Sequence, residues 1–121
     1  MEFSFFIGGY FGNHVECIIR GGKLHCYIMD MSWMKRFVTP TIIPIKNNPD
    51  WKALTEFLKA AKWQKEYFNQ GVMDGTQWEL KFKDKDIKLR CNGSNAYPDN
   101  FEAFLRLLNA VTSKHGVAKI G

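Results

Sequence analysis

The chain has 121 residues, 45% of them apolar and 15% aromatic, which excludes a disordered or low-complexity chain and is enough for one core that needs neither metal nor disulfides. Seventeen Lys and Arg against twelve Asp and Glu give a formal net charge of +5, a moderate tilt toward acidic partners, nucleic acid or an acidic protein face among them. No stretch is long enough to span a membrane, Glu2 stands where an export signal carries positive charge, and three cysteines without CxxC spacing argue against a disulfide framework, so the expected compartment is the cytosol.

Phe3, Phe5 and Ile7 alternate with Ser4 and predict a first strand ending at Gly8-Gly9. The clearest local signal follows at Gly21-Gly22, where two residues without Cβ reach positive φ freely and predict a two-residue hairpin turn between His14 to Arg20 and Lys23 to Asp30. That register faces Cys17 with Cys26 and Glu16 with Tyr27. It puts Val15, Cys17, Ile19, Leu24, Cys26 and Ile28 on a core face and leaves His14, Glu16, Arg20, Lys23, His25 and Tyr27 to meet water.

Residues 31 to 49 mix bulky apolar residues with three prolines. Thr41 to Ile45 reads as an extended edge segment, because Pro44 cannot donate to a central ladder. A helix follows: Asn48 suits the cap, Pro49 the first position and Asp50 the first turn, with Trp51, Leu54, Leu58 and Ala61 at helical spacing. Trp63 and Tyr67 carry the chain into a connector. A second hairpin is predicted over Gln77 to Lys83 and Ile87 to Asn92, around Asp84-Lys85-Asp86. Pro98 and Asp99 open a last helix with Phe101, Phe104, Leu105, Leu108 and Val111 on one stripe and a stop at Gly116. The expected fold is a single α+β domain in the order βββ-α-ββ-α, with one antiparallel sheet of about five strands and two helices packed on one face.

The chemistry-bearing residues are sparse. Cys17 and Cys26 read as small, reduced core hydrophobes, and Cys91 also points inward. A zinc site with His14 or His25 fails on direction, since alternation sends the imidazoles to the other face; no metal and no cofactor are expected. His14, Glu16 and His25 share a face but lack a nucleophile and an oxyanion donor, so the chain is not expected to be an enzyme. Gly8-Gly9-Tyr10-Phe11-Gly12 precedes a strand and has no following Lys-Ser/Thr, unlike a phosphate loop.

The outer face of the second hairpin carries Lys81, Lys83, Lys88 and Arg90, with Lys85 at the tip. Such a ribbon can follow a phosphate backbone. Glu79, Asp84 and Asp86 offset three of those five charges, and no exposed aromatic interleaves with them, so a solvated surface that discourages aggregation is the first reading and a nucleic-acid groove the second.

Two motifs flank that hairpin, Asp74-Gly75-Thr76-Gln77-Trp78 and Gly93-Ser94-Asn95-Ala96-Tyr97-Pro98-Asp99-Asn100-Phe101. Together with the Trp and Tyr ahead of them they resemble a family of small uncharacterised proteins of Gram-positive bacteria and their mobile elements, over roughly residues 51 to 108. No activity attaches to that family, so the resemblance implies no catalytic residue. Physically the motifs read as structural: a turn at Asp74-Gly75, backbone bonding by Asn95, a preset φ at Pro98, and Tyr97 packed over Trp78.

Met29, Met31, Trp33, Met34 and Phe37, interleaved with Asp30, Lys35 and Arg36, exceed what one strand end needs. Met, Trp and Arg are the residues that enrich protein interfaces. The expectation is a non-enzymatic protein-binding domain, an inhibitor or immunity protein of a bacterial or phage conflict system of the anti-CRISPR or toxin-neutralising type, with Met29, Met31, Trp33, Met34, Arg36 and Phe37 as its anchors. The alternative is a basic nucleic-acid-binding domain using Lys81, Lys83, Lys88 and Arg90.

Overall fold

Each half of the chain folds a run of alternating residues into neighbouring strands, and one long-range pairing joins the halves. A computed structural model describes residues 1–9, 13–30, 39–69 and 75–121. The elements are β1 (Glu2–Gly9), β2 (Asn13–Arg20), β3 (Lys23–Asp30), β4 (Thr41–Pro44), α1 (Pro49–Ala60), β5 (Glu66–Phe68), β6 (Thr76–Asp84), β7 (Ile87–Ser94) and α2 (Phe101–Thr112), with a 3-10 turn at Ser113–His115. All seven described strands form one sheet in the order β4-β3-β2-β1-β6-β7-β5.

The first hairpin has the expected register, with Arg20 opposite Lys23 and Cys17 opposite Cys26, and both turn glycines at positive φ. Gly21-Gly22 therefore decides which residues face the core. β4 is the edge strand anticipated at Thr41, laid antiparallel on β3. The second hairpin turns tighter than expected: Asp84 pairs with Ile87, leaving a two-residue turn in which Lys85 takes the left-handed conformation at φ +54°.

The sheet is larger than the expected five strands and is mixed. Glu66–Phe68, read from sequence as connector, pairs parallel to β7 through Glu66–Asn92, Tyr67–Gly93 and Phe68–Ser94. Three residues with one inward side chain present no alternation to detect, and parallel pairing is set by where the chain arrives rather than by a turn. The last helix starts at Phe101, later than Pro98; Phe101 N–H first closes a turn onto the Pro98 carbonyl.

Both helices lie on one face. Asn48 caps α1 by accepting from Asp50 N–H and Trp51 N–H, each at 3.1 Å, with Pro49 at the start. Trp51, Leu54 and Leu58 of α1 and Phe101, Phe104, Leu108 and Val111 of α2 are buried with Phe3, Phe5, Ile7, Leu80 and Phe82 of the sheet. Phe3 meets Trp51 edge-on at 5.1 Å, and Phe5 meets Phe104 at 4.9 Å. Gly116, at φ +83°, ends the helical run as expected. The Asn109 amide then ties the chain beyond it, donating to the Ile120 carbonyl and accepting from its N–H, which buries Ile120. No helix among the described residues is long and apolar enough to cross a membrane.

Candidate functional site

The two helices cover the face that carries Phe3, Phe5 and Ile7, and no described helix packs on the other. On that second face, where Tyr27 and Met29 are buried and the β6–β7 side is exposed, the pairing registers line side chains into rows running across the strands. One row runs Ile42, His25, Ile18, Ser4, Lys81, Arg90. Beside it, toward the hairpin turns, stand the Arg20–Lys23 pair and Glu2, Lys83 and Lys88. The next row the other way runs Tyr27, Glu16, Phe6, Glu79, Asn92, Glu66, and beyond it lie Gln77, Ser94 and Phe68.

Lys81, Lys83, Lys88 and Arg90 are thus brought together and exposed. Lys81 faces Arg90 and Lys83 faces Lys88 directly across strands, as Arg20 faces Lys23. Like charges placed directly opposite destabilise a sheet. Only part of the acid count from sequence acts against them, and the sheet adds one more, Glu2, which lies directly opposite Lys83 on β1. Asp84 is taken by Lys59 of α1 at 2.8 Å, and that ammonium holds its carboxyl below the ordinary carboxylate range. Glu79 pairs with Lys81 at 3.0 Å, but both are about half exposed, where such a pair is weak and screened by salt.

Three shallow depressions mark the β6–β7 side of this face. One of about 230 Å³ is lined by Glu2, Lys81, Lys83, Lys88 and Arg90. A second, about 440 Å³, shares Lys81 and Arg90 and adds Lys65, Glu79 and Asn92. A third, about 360 Å³, shares Glu79 and Asn92 and is bordered by Phe6 and Phe68 with Gln77 and Ser94 between them. Phe68 is 67% exposed. It stands on β5 opposite Ser94, outside the Lys and Arg rows rather than interleaved with them, and it went unseen in the sequence because β5 did.

The other anticipated sites fare differently. Met29 is buried at 7% exposure, while Met31, Trp33, Met34, Arg36 and Phe37 lie outside the described residues. Tyr27, expected to meet water, is buried at 8% exposure: alternation assigns a side chain to a face without saying what packs there. His14 stacks at 5.7 Å on Phe6 and lies over Gly8, whereas His25 Nδ1 sits 3.2 Å from the Lys23 carbonyl, so the two imidazoles have separate surroundings. Cys17, Cys26 and Cys91 are all buried and free. A hydrogen bond with Cys26, joined by burial, holds the Cys17 thiol well above its ordinary pKa, and burial pushes Cys91 up to about 11. Among the described residues no three His, Cys, Asp or Glu cluster to hold a metal.

The flanking motifs form a clamp around the sheet end. Thr76 N–H donates to Asn95 Oδ1 at 2.8 Å and Asn95 N–H to the Thr76 carbonyl at 2.9 Å. Trp78 Nε1 donates to the Ala96 carbonyl at 2.9 Å, and Trp63 Nε1 to Asn100 Oδ1 at 2.6 Å. Tyr97 packs on Phe101 rather than directly over Trp78, and Phe101 packs on Trp78, both at 4.9 Å. Asp74 lies outside the described residues. A cleft of about 580 Å³ opens beside this clamp, lined by Ile7, Tyr97, Asp99, Glu102 and Leu105 among others. Among the described residues its lining has the two carboxylates Asp99 and Glu102 and no His, Cys or Lys.

No protein-family model, no curated protein and no solved structure matches this chain.

Proposed function

We propose that this domain is a non-enzymatic nucleic-acid-binding module whose contact surface is the exposed, basic part of the sheet face that the described helices leave uncovered. The observation that carries the reading is the set of three like-charged cross-strand pairs, Arg20–Lys23, Lys81–Arg90 and Lys83–Lys88. Glu79 relieves Lys81 and Glu2 faces Lys83, and a phosphate backbone laid across the pairs removes the like-charge repulsion that remains while releasing its counterions. A role as aggregation gatekeepers fits less well, because such charges belong on edge strands. That holds for Lys81 and Lys83, because β6 lies inside the sheet, whereas β5 covers only Asn92–Ser94 of β7 and leaves Lys88 and Arg90 on an uncovered edge.

The protein-binding reading rests on residues 29 to 37. Of its six anchors, the one described, Met29, is buried. The other five lie outside the described residues, so the basic face is the candidate surface that the described residues support.

The test is the salt dependence of binding to a short labelled oligonucleotide. Replacing Lys81, Lys83, Lys88 and Arg90 by Gln removes four cations, so the slope of log K against log salt should flatten by about 3 to 4 units. Absence of binding by the unaltered protein at low salt refutes the reading. Equal slopes for the two proteins refute the assigned surface.

A further inference from the structure

We infer that the ligand of this face is a single strand, its phosphates on the basic rows and its unpaired bases on the lane between Phe6 and Phe68. The inference rests on the proposal above and goes further by naming the strandedness and the way the strand is laid.

Three observations carry it. The first is the division of the face into lanes. Lys81, Arg90, Lys83 and Lys88 occupy two adjacent rows, while Phe6, Glu79, Asn92, Gln77, Ser94 and Phe68 occupy the next two. Rows lie two residues apart along a strand, about 7 Å, so the Phe6–Glu79–Asn92 row is one step from Lys81 and Arg90 and the Phe68 row two steps, about 14 Å, a distance spanned by successive nucleotides rather than by one base. The second is exposure. Phe68 projects from an edge strand on the same face, and its depression is continuous through Asn92 and Glu79 with the one lined by Lys81 and Arg90. An aromatic ring beside a basic track offers a stacking platform to any base, whatever its sequence.

The third observation is the charge of the second lane. Glu66 and Glu79 flank Asn92 there. Carboxylates repel phosphates, yet they accept hydrogen bonds from the exocyclic amino groups of cytosine and adenine. Glu2 excludes phosphate from the β1 end of the Lys83 row in the same way, so the backbone is kept to Lys81, Lys83, Lys88 and Arg90 on β6 and β7, with the bases turned toward the second lane. A duplex cannot use this lane. Its bases are stacked on one another inside the helix, and it would present phosphates to Glu66 and Glu79 as readily as to Lys81.

The experiment compares one labelled sequence as a single strand and as a duplex at matched salt, using the whole chain and the variants Phe68→Ala and Phe68→Tyr. The single strand should bind at least about tenfold more tightly. Phe68→Ala should weaken single-strand binding roughly 5- to 150-fold, the range for loss of one base–aromatic stack, with duplex binding and the salt slope unchanged. Phe68→Tyr keeps a ring face and should restore binding. Because Phe68 is largely exposed, an unchanged unfolding midpoint for each variant shows that the loss is not one of folding. Equal affinity for both forms, or a Phe68→Ala variant that binds like the unaltered chain, overturns the inference. If the quadruple Gln variant still flattens the salt slope in that case, nucleic-acid binding itself stands. An acidic peptide that competes as well as the oligonucleotide overturns both.

Discussion

Gly93 sits where the clamp and the open face meet, and replacing it with Ala tests the clamp directly. A Cβ built there lies 2.1 Å from Trp78 Nε1 and 2.5 Å from the Ala96 carbonyl oxygen. Those two atoms are donor and acceptor of one hydrogen bond. Gly93 is not at positive φ, so the requirement is for space rather than for backbone freedom. Trp78 cannot retreat, because Trp63, Tyr67 and Phe101 hold its ring at 4.9–6.0 Å. Overpacking of this kind costs about 1–3 kcal/mol, and stranding a buried indole N–H about 1–3 kcal/mol more. Reduced freedom in the unfolded chain returns roughly 0.4–1 kcal/mol. The net loss is about 2–5 kcal/mol, a large share of the roughly 5–15 kcal/mol that stabilises a typical domain. Urea denaturation followed by tryptophan fluorescence reads it, and a thermal midpoint should fall by about 10–20 °C. Gly21→Ala is the companion measurement. Its Cβ meets nothing within 4 Å, but φ is +58°, so it should lose only about 1–2 kcal/mol. A Gly93→Ala protein no less stable than Gly21→Ala would refute the reasoning.

Asn48→Ala removes the acceptor of two N–H groups at the start of α1 and should cost about 1 kcal/mol in urea unfolding. Lys59 lowers the pKa of Asp84 below its unfolded value, so the pair's contribution is present above the ordinary carboxylate range and lost as pH falls through the lowered value. Asp84→Asn should accordingly be less stable than the parent at pH 7 and equal to it in strong acid. Burial raises Cys91 to about 11, so its contribution is complete below the unfolded thiol value and is lost as pH rises from about 9 through 11. Cys91→Ala should flatten that alkaline decline in stability. Native labelling of Cys17 and Cys26 should be slow and three thiols should react on denaturation; replacing the facing pair with Ala should cost about 1 kcal/mol per residue.

What could be read from the sequence was whatever a local rule governs. Gly21-Gly22 sets a hairpin register by itself, and that register correctly faced Cys17 with Cys26. Asn48-Pro49 marks a helix start, and Pro44 marks an edge. The hidden features depend on distant chain. Tyr67 is β5's single inward side chain, so nothing periodic announces the strand, and its partner β7 lies more than twenty residues away. Phe68, the aromatic of the candidate site, was lost with it. The basic residues were legible as a cluster on one hairpin, but not their alignment with Arg20 and Lys23 across an intervening strand. That alignment requires β1 to pair with both β2 and β6.

The placement of β1 also governs the order of assembly. It precedes the other described strands in the chain, yet it sits mid-sheet, with β2 on one side and β6, from residues 76 to 84, on the other. At about 5–20 residues per second, some 4–15 seconds of synthesis separate the end of β1 from the end of the strand that pairs with its second edge. Closing a loop of that length is slow relative to the turn at Gly21-Gly22, so β1 to β4 can form a partial sheet well before β6 joins it. During that interval the free edge of β1 is a row of unpaired N–H and C=O groups, and Phe3, Phe5 and Ile7 still lack the α2 residues that cover them. Until β6 joins, β1 is therefore an edge on which a holding chaperone, or a second copy in a crowded polysome, can pair.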